Sequence, residues 1–225
     1  PPFTSCIFIS NYNLLNNSCL PIKSFSYSNA MFSIGFSEKQ PNIVSVVTGD
    51  GMFLSYNIEA DEIQNPIVSL KLSNKELNSI AASHHIPSLY LVGSSNGRIF
   101  LVDNETNKID PIQTNIHQSG ITNVVWHPNH KNIFCSSSND GKVFFYDLSS
   151  KGAIKSQISE QKDVLSCDFN KYDNTFVTGS SDNSIKIYDL RNTRSPLLVI
   201  NGHRYGVKKV KFSPFDSKIL MSGSL

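Results

Sequence analysis

A short block recurs four times in this 225-residue chain. Each copy opens on a turn pair: Asp50-Gly51, Asn96-Gly97, Asp140-Gly141 or Asp182-Asn183. Six positions beyond the first turn residue stands an aromatic or apolar residue followed by Asn or Asp. These pairs are Tyr56-Asn57, Val102-Asp103, Tyr146-Asp147 and Tyr188-Asp189. The turns are 46, 44 and 42 residues apart. A second series, Phe36, Ala82, Trp126, Phe169 and Phe212, recurs at 46, 44, 43 and 43. Two independent series with one period mean a repeated supersecondary unit, and such units stack because none can bury its apolar face alone.

The unit is built on a hairpin. Asp-Gly and Asn-Gly supply the positive φ angles of a two-residue primed turn. After the turn, apolar and polar residues alternate, as in Ser184-Ile185-Lys186-Ile187-Tyr188, which is strand periodicity. A second strand precedes the turn, a third ends at the 36/82/126/169/212 series, and a fourth, less regular strand fills the gap. Four strands make one blade, and a period in the forties with a terminal aromatic-Asp pair marks a WD-repeat β-propeller. The expected fold is all-β, with residues 1–225 as a single propeller domain. Five anchors begin five blades. The chain starts at Pro1 and stops at Leu225 within a hairpin, and Cys6–Ser10 reads as the third strand of an earlier blade. The expectation is an internal piece of a longer, seven-bladed protein, truncated at both ends, whose 225 residues do not close a ring.

Composition narrows the function. A net charge of +2 argues against nonspecific nucleic-acid binding. No apolar run approaches the roughly 20 residues that span a bilayer. Cys6, Cys19, Cys135 and Cys167 form no Cys-x-x-Cys pair, so free buried thiols are expected and a zinc site is not. His84 and His85 are adjacent and would point to opposite sides of an extended chain, which fits a surface loop better than a metal site. No cofactor and no metal are expected. The Ser, His and Asp residues recur with the blade period, so they read as structural rather than as a catalytic triad, and no motif suggests an enzyme.

The last third is more specific. Asp163-Val164-Leu165-Ser166-Cys167-Asp168-Phe169-Asn170-Lys171-Tyr172 resembles the fifth-blade motif of the receptors for type-2 peroxisomal targeting signals. So does Asp189-Leu190-Arg191-Asn192 with Arg194 and Pro196. The stretch Gly202 to Phe215, with Val210-Lys211-Phe212-Ser213-Pro214-Phe215, is similar to the start of the sixth blade of that family. Lys23-Ser24-Phe25-Ser26-Tyr27 through Phe36 matches its second blade without gaps. The resemblance implies a non-enzymatic cargo receptor for peroxisomal matrix import. Such receptors bind an N-terminal nonapeptide of matrix enzymes, an amphipathic helix with a basic residue at one end. They act with a co-receptor in the cytosol, shuttle to the peroxisome, and insert into no membrane. The alternative is a generic WD-repeat scaffold or adaptor in a multiprotein complex.

The family also directs the choice of site residues. Its ligands lie on the face made by the loops that lead into the innermost strands. Glu76 matches an acidic family position, and Asp163 is its equivalent in the fourth repeat; a carboxylate facing Arg or Lys is charge-assisted and directional. Asn29 stands where the family has Asp. Arg204 lies in the leading loop of the last repeat, followed by Lys208, Lys209 and Lys211, a basic stretch that reads first as channel lining and second as a site for an acidic partner. The internal network of such blades links a His, a strand Ser, a turn Asp and a Trp. Here it is expected from His117, Ser138, Asp140 and Tyr146, from Ser180, Asp182 and Tyr188 with Glu160 where His is usual, and from His203. With Tyr for Trp, these networks are expected to be incomplete.

Overall fold

The structure, a computed structural model, describes residues 4–13, 18–60, 65–112, 117–150 and 153–224. It contains four antiparallel four-stranded sheets with consecutive strands paired. The first comprises β3 (Met31–Ser37), β4 (Gln40–Thr48), β5 (Met52–Asn57) and β6 (Val68–Lys71). The second has β7 (Leu77–Ala82), β8 (Leu89–Ser94), β9 (Ile99–Asp103) and β10 (Lys108–Ile112). The third has β11 (Ile121–Trp126), β12 (Ile133–Ser138), β13 (Lys142–Asp147) and β14 (Ala153–Ser159). The fourth has β15 (Val164–Phe169), β16 (Thr175–Ser180), β17 (Ser184–Asp189) and β18 (Leu198–Asn201). Two-stranded sheets flank this array: β1 (Ser5–Asn13) with β2 (Ser18–Tyr27), and β19 (Val207–Phe212) with β20 (Leu220–Ser224). The strands β3, β7, β11, β15 and β19 pack side by side in series and form the inner layer. Each carries one of the five anchor residues at or near its end.

Every inner strand begins with the same irregularity. Pairing skips one residue between Met31 and Ser33, Leu77 and Ser79, Ile121 and Asn123, Val164 and Ser166, and Val207 and Lys209. A bulge of this kind bends the strand and raises its twist. The extra residues are Phe32, Asn78, Thr122, Leu165 and Lys208. Two of them reach the next blade: Asn78 donates from Nδ2 to Ile121 O at 3.0 Å, and Thr122 donates from Oγ1 to Val164 O at 2.6 Å.

The turns differ from expectation. Gly51, Gly97, Gly141 and Asn183 have φ of 84°, 79°, 76° and 69°, but the residue before each does not have positive φ. Gly51 N, Gly97 N, Gly141 N and Asn183 N donate to the carbonyls of Thr48, Ser94, Ser138 and Ser180 at 3.1–3.3 Å. These are three-residue loops, a type I turn followed by a left-handed bulge residue, and not primed two-residue turns. In three of the four turns the reason lies in the first residue of the pair. Asn96, Asp140 and Asp182 keep negative φ and accept the amide two residues on, from Arg98, Lys142 and Ser184.

The core lies between blades. Phe145 of the third blade and Phe169 and Phe176 of the fourth meet edge-on at centroid distances of 4.9–5.9 Å. Phe53 and Tyr90 join the first blade to the second. Gly93 marks a close approach of two blades: a Cβ there would fall 2.4 Å from Ile121 Cγ2. Below the aromatic layer runs a buried polar rung. Ser79 Oγ donates to Asn123 Oδ1 at 3.1 Å, and Asn123 Nδ2 donates to Cys167 O at 3.1 Å. Cys135 and Cys167 are buried free thiols with sulfurs 3.7 Å apart, whereas Cys6 and Cys19 are exposed, contrary to the expectation that all four are buried. Strands at the edge of an array present their outer face, which is where Cys6 and Cys19 lie.

Candidate functional site

The five loops leading into the inner strands share one face and one construction. The backbone carbonyl just ahead of the inner strand accepts the amide at the adjacent hairpin turn. Ala30 O takes Gly49 N at 2.8 Å, Glu76 O takes Ser95 N at 2.9 Å, Gly120 O takes Asn139 N at 3.1 Å, and Asp163 O takes Ser181 N at 3.0 Å. In the fifth blade Ser224 Oγ donates to Tyr205 O at 2.9 Å. Each leading loop is thus tied to a turn whose own backbone is fixed, so side chains on it are held on a rigid rim.

Four residues before each inner strand stand equivalent residues, Tyr27, Ser73, His117, Glu160 and His203, and all but Ser73 bond through the side chain to a turn or strand of the blade. In the third blade the His117 imidazole lies between Asp140 (3.0 Å from Nδ1 to Oδ2) and Ser136 (2.8 Å from Nε2 to Oγ). Ser136 Oγ in turn lies 3.0 Å from the Tyr146 hydroxyl. The strand serine of this network is therefore Ser136 and not Ser138. Ser138 lies on the same face one pleat further on, where the strand ends. Its hydroxyl accepts Asp140 N and donates to Ser119 O. Burial pushes the His117 imidazole down, and the His117 ring and two backbone amides beside it hold the Asp140 carboxyl down against its own desolvation.

The fourth blade repeats the brace with altered charges. Glu160 accepts Thr178 Oγ1 at 2.5 Å and the Tyr188 hydroxyl at 3.3 Å. Lys186 joins it: Nζ lies 2.6 Å from Glu160 Oε2 and 2.8 Å from Asp182 Oδ2. The network expected to be incomplete is closed, by a lysine that the repeat pattern does not contain. Ser180 again stands outside it, accepting Asp182 N. Asp182 is held at about 2 by its bonds from Lys186 and Ser184, against a smaller opposing effect of burial than those bonds together exert. In the fifth blade His203 Nε2 lies 2.9 Å from Ser222 Oγ, the pair equivalent to His117 and Ser136. In the first, the Tyr27 hydroxyl donates to Asp50 Oδ2 at 2.9 Å, and burial with Asp50 beside it pushes that hydroxyl up to about 12. The second blade has Val92 and Val102, both fully buried, where the third has Ser136 and Tyr146.

The residues singled out for ligand contact stand on the rim. Glu76 is exposed, immediately before β7, and its carboxylate has no ion pair among the described residues. Asp163 is half-buried, immediately before β15, with its carboxylate likewise unpaired. Asn29 turns its Oδ1 to Ala30 N at 2.7 Å, which leaves its amide nitrogen and one lone pair of that oxygen for a ligand. Arg204 is exposed, its carbonyl taken by Asn183 Nδ2 at 3.0 Å. The basic stretch divides: Lys208 is the exposed bulge residue, while Lys211 leaves the rim and pairs with Asp168 at 2.9 Å. The structure thus places Glu76, Asp163, Asn29 and Arg204 on one face. Among the described residues no group of His, Cys, Asp and Glu could hold a metal.

Comparison with known proteins agrees with this architecture. The NUP159/214 beta propeller family matches residues 17–167, and a WD domain, G-beta repeat, matches residues 153–189. The chain is 25% identical over 206 residues to the histone acetyltransferase type B subunit 2 of Candida glabrata, covering 89% of this chain and 49% of that protein. It is also 25% identical over 202 residues to the peroxisomal targeting signal 2 receptor of Schizosaccharomyces pombe, covering 89% of this chain and 64% of that protein. The counterpart receptor of Saccharomyces cerevisiae is 25% identical over 276 residues, covering 96% of this chain and 73% of that protein. The chain spans less than two thirds of the length of the first relatives it matches. With four four-stranded blades around an inner strand layer and a family match over more than half its residues, the chain belongs to the NUP159/214 β-propeller family, among the WD-repeat propellers.

Proposed function

We propose that this propeller is a non-catalytic receptor that takes the N-terminal type-2 targeting peptide of peroxisomal matrix proteins on its leading face. The observation that carries the reading is the pair of uncompensated carboxylates, Glu76 and Asp163, on loops pinned to their turns. A carboxylate with no partner of its own, held on a rigid loop, suits the basic end of an amphipathic targeting helix. The motifs from Asp163 onward and the two yeast receptors at 25% identity support the same reading. The serine–histidine–aspartate arrangement of the third blade supports a structural role, since Ser136 is fully buried and already bonded to Tyr146. Such a receptor would work with a co-receptor in the cytosol and shuttle to the peroxisome. Among the described residues no helix is long and apolar enough to cross a membrane.

A second reading, a scaffold subunit in a chromatin complex, is favoured by the histone acetyltransferase relatives at the same identity. A peptide panel separates the two. The protein, with co-receptor, is titrated with a labelled type-2 signal peptide and with a histone tail peptide of equal charge. Saturable binding of the signal peptide alone supports the receptor. Binding of the histone peptide alone replaces it with the scaffold.

A further inference from the structure

We propose that a cleft on the leading face, between the first and second blades, is a binding site for a small polyphosphorylated ligand. The cleft holds about 380 Å³. Lys71 at the end of β6, Ser73 and Lys75 of the loop into β7, and Asn96 and Arg98 of the β8–β9 turn line it. Its charged groups are all cations, and no carboxylate is among its lining residues. Lys71 Nζ donates to Asp50 O. The Lys75 ammonium and the Arg98 guanidinium are exposed and have no partner among the described residues. Two acids stand at neighbouring positions outside the lining. The Asp50 carboxylate accepts the Tyr27 and Thr48 hydroxyls, and Glu76 follows Lys75 in the chain. With both of these counted, the cleft's cations still outnumber the carboxylates.

The repeat supplies a second, independent observation. In blades one, three and four the turn acid is Asp50, Asp140 or Asp182, and each is met by a side chain of its own network: Tyr27, His117 or Lys186. In blade two the turn residue is Asn96 and the position of His117 is held by Ser73, so the acid and its brace are both gone. Ser73 turns to its own loop instead, its Oγ accepting Lys75 N at 3.0 Å. Asn96 Oδ1 accepts Arg98 N at 3.2 Å, and its amide nitrogen is left to donate. Lys142, the third-blade counterpart of Arg98, stands two residues after Asp140; Arg98 has no such acid. The loop is held in place, since Leu72 N and Ser73 N donate to Gly51 O at 3.0 and 3.4 Å. Three cations on separate segments with a donor amide select an oxyanion, and their spread over one cleft selects more than one phosphoryl group. The volume falls in the range of small-ligand sites, roughly 300–1,000 Å³. No aromatic ring lines the cleft, so it offers a nucleobase no surface to stack on. An inositol polyphosphate, free or as a lipid headgroup, has the matching chemistry: several phosphates and no base.

Calorimetric titration of the full protein with inositol hexakisphosphate tests this. No peptide is present, so its outcome is separate from that of the receptor reading. Saturable binding below roughly 1 mM is expected, weakening as salt is raised. Lys75→Glu and Arg98→Glu should each weaken it by at least about tenfold with an unchanged melting temperature, since neither side chain bonds within the fold. Lys131→Glu makes the same change of charge at an exposed site in the β11–β12 loop on the opposite face, and should leave binding unchanged. Co-sedimentation with phosphatidylcholine vesicles, with and without phosphatidylinositol bisphosphate, separates the sources. Pelleting that needs the phosphorylated lipid and is lost in Arg98→Glu assigns the headgroup; binding of the soluble probe alone assigns the free ligand. No saturation with either probe overturns the proposal. So does equal weakening by Lys131→Glu and Arg98→Glu, or unchanged binding by both cleft variants.

Discussion

The Lys186 ammonium lies 2.6 Å from the Glu160 carboxylate and 2.8 Å from that of Asp182, and so does in the fourth blade what a histidine does in the third. His117 bridges Ser136 and Asp140 with its two ring nitrogens. Glu160 cannot bridge to an aspartate, because two carboxylates repel. Lys186 supplies the missing cation, and Glu160 stays buried with its side chain 1% exposed.

Removing that cation should be costly. Lys186→Met leaves a buried carboxylate facing Asp182, and breaking one partner of a buried pair costs about 3 kcal/mol or more. Adding Glu160→Gln removes the uncompensated charge and should recover part of the loss. Urea unfolding of wild type, single and double variants reads this directly. A double variant less stable than the single would show that Lys186 acts by packing instead.

Gly141 adopts φ of 76°, and a Cβ there would meet Glu160 O at 2.7 Å. Gly141→Val should cost on the order of 1–3 kcal/mol from backbone strain, with the clash added. Thermal melts should show a lower transition temperature with the fold retained. An unchanged melt would mean that the hairpin can rebuild its turn.

Acid should unfold the protein earlier than its carboxylates alone require. Burial holds the His127 imidazole at about 4, below its ordinary 6.5, and its Nδ1 accepts Asn129 N at 3.1 Å. The unfolded chain therefore binds this proton first. The stabilisation is complete above about 6.5 and is lost as the pH falls toward 4. The effect should be about 1 kcal/mol between pH 7.5 and pH 5, after allowing for partial exposure. His127→Gln keeps an acceptor for Asn129 and does not titrate, so its stability should fall less over that interval. Parallel profiles for the two proteins would remove His127 from the acid response.

The repeat was legible because backbone geometry demanded it. Gly51, Gly97, Gly141 and Asn183 sit where φ is positive, and Trp126 and Phe169 sit where the inner strand ends against the next blade. The turn type was not legible, since Asp-Gly serves both a primed turn and a type I turn with a bulge. The bulge at the head of each inner strand left no trace, because Phe32, Asn78, Thr122, Leu165 and Lys208 share no chemistry. Ser136 and Ser138 point to the same face of one strand, so spacing from His117 could not choose between them. The role of Lys186 was not legible because a lysine alternating with isoleucines reads as the solvent side of a strand. Glu76 was legible through the acidic position of the family it resembles and Asp163 through its equivalence in the repeat; that their carboxylates stand unpaired is a matter of tertiary packing that spacing does not encode.

If the leading face takes the basic end of a targeting helix, Glu76 is the carboxylate that meets it. Its side chain is exposed and its backbone carbonyl holds Ser94 Oγ and Ser95 N, which a substitution at the side chain leaves in place. Glu76→Lys should therefore fold as the wild type does while turning attraction into repulsion. Fluorescence anisotropy of a labelled type-2 signal peptide, with co-receptor present, should give a Kd more than about tenfold weaker for the variant, since a charge-assisted bond contributes roughly 1.5–3 kcal/mol. A peptide with its arginine changed to alanine should bind both proteins weakly. Equal affinity of wild type and Glu76→Lys for the signal peptide would remove Glu76, and with it the proposed helix site, from the leading face.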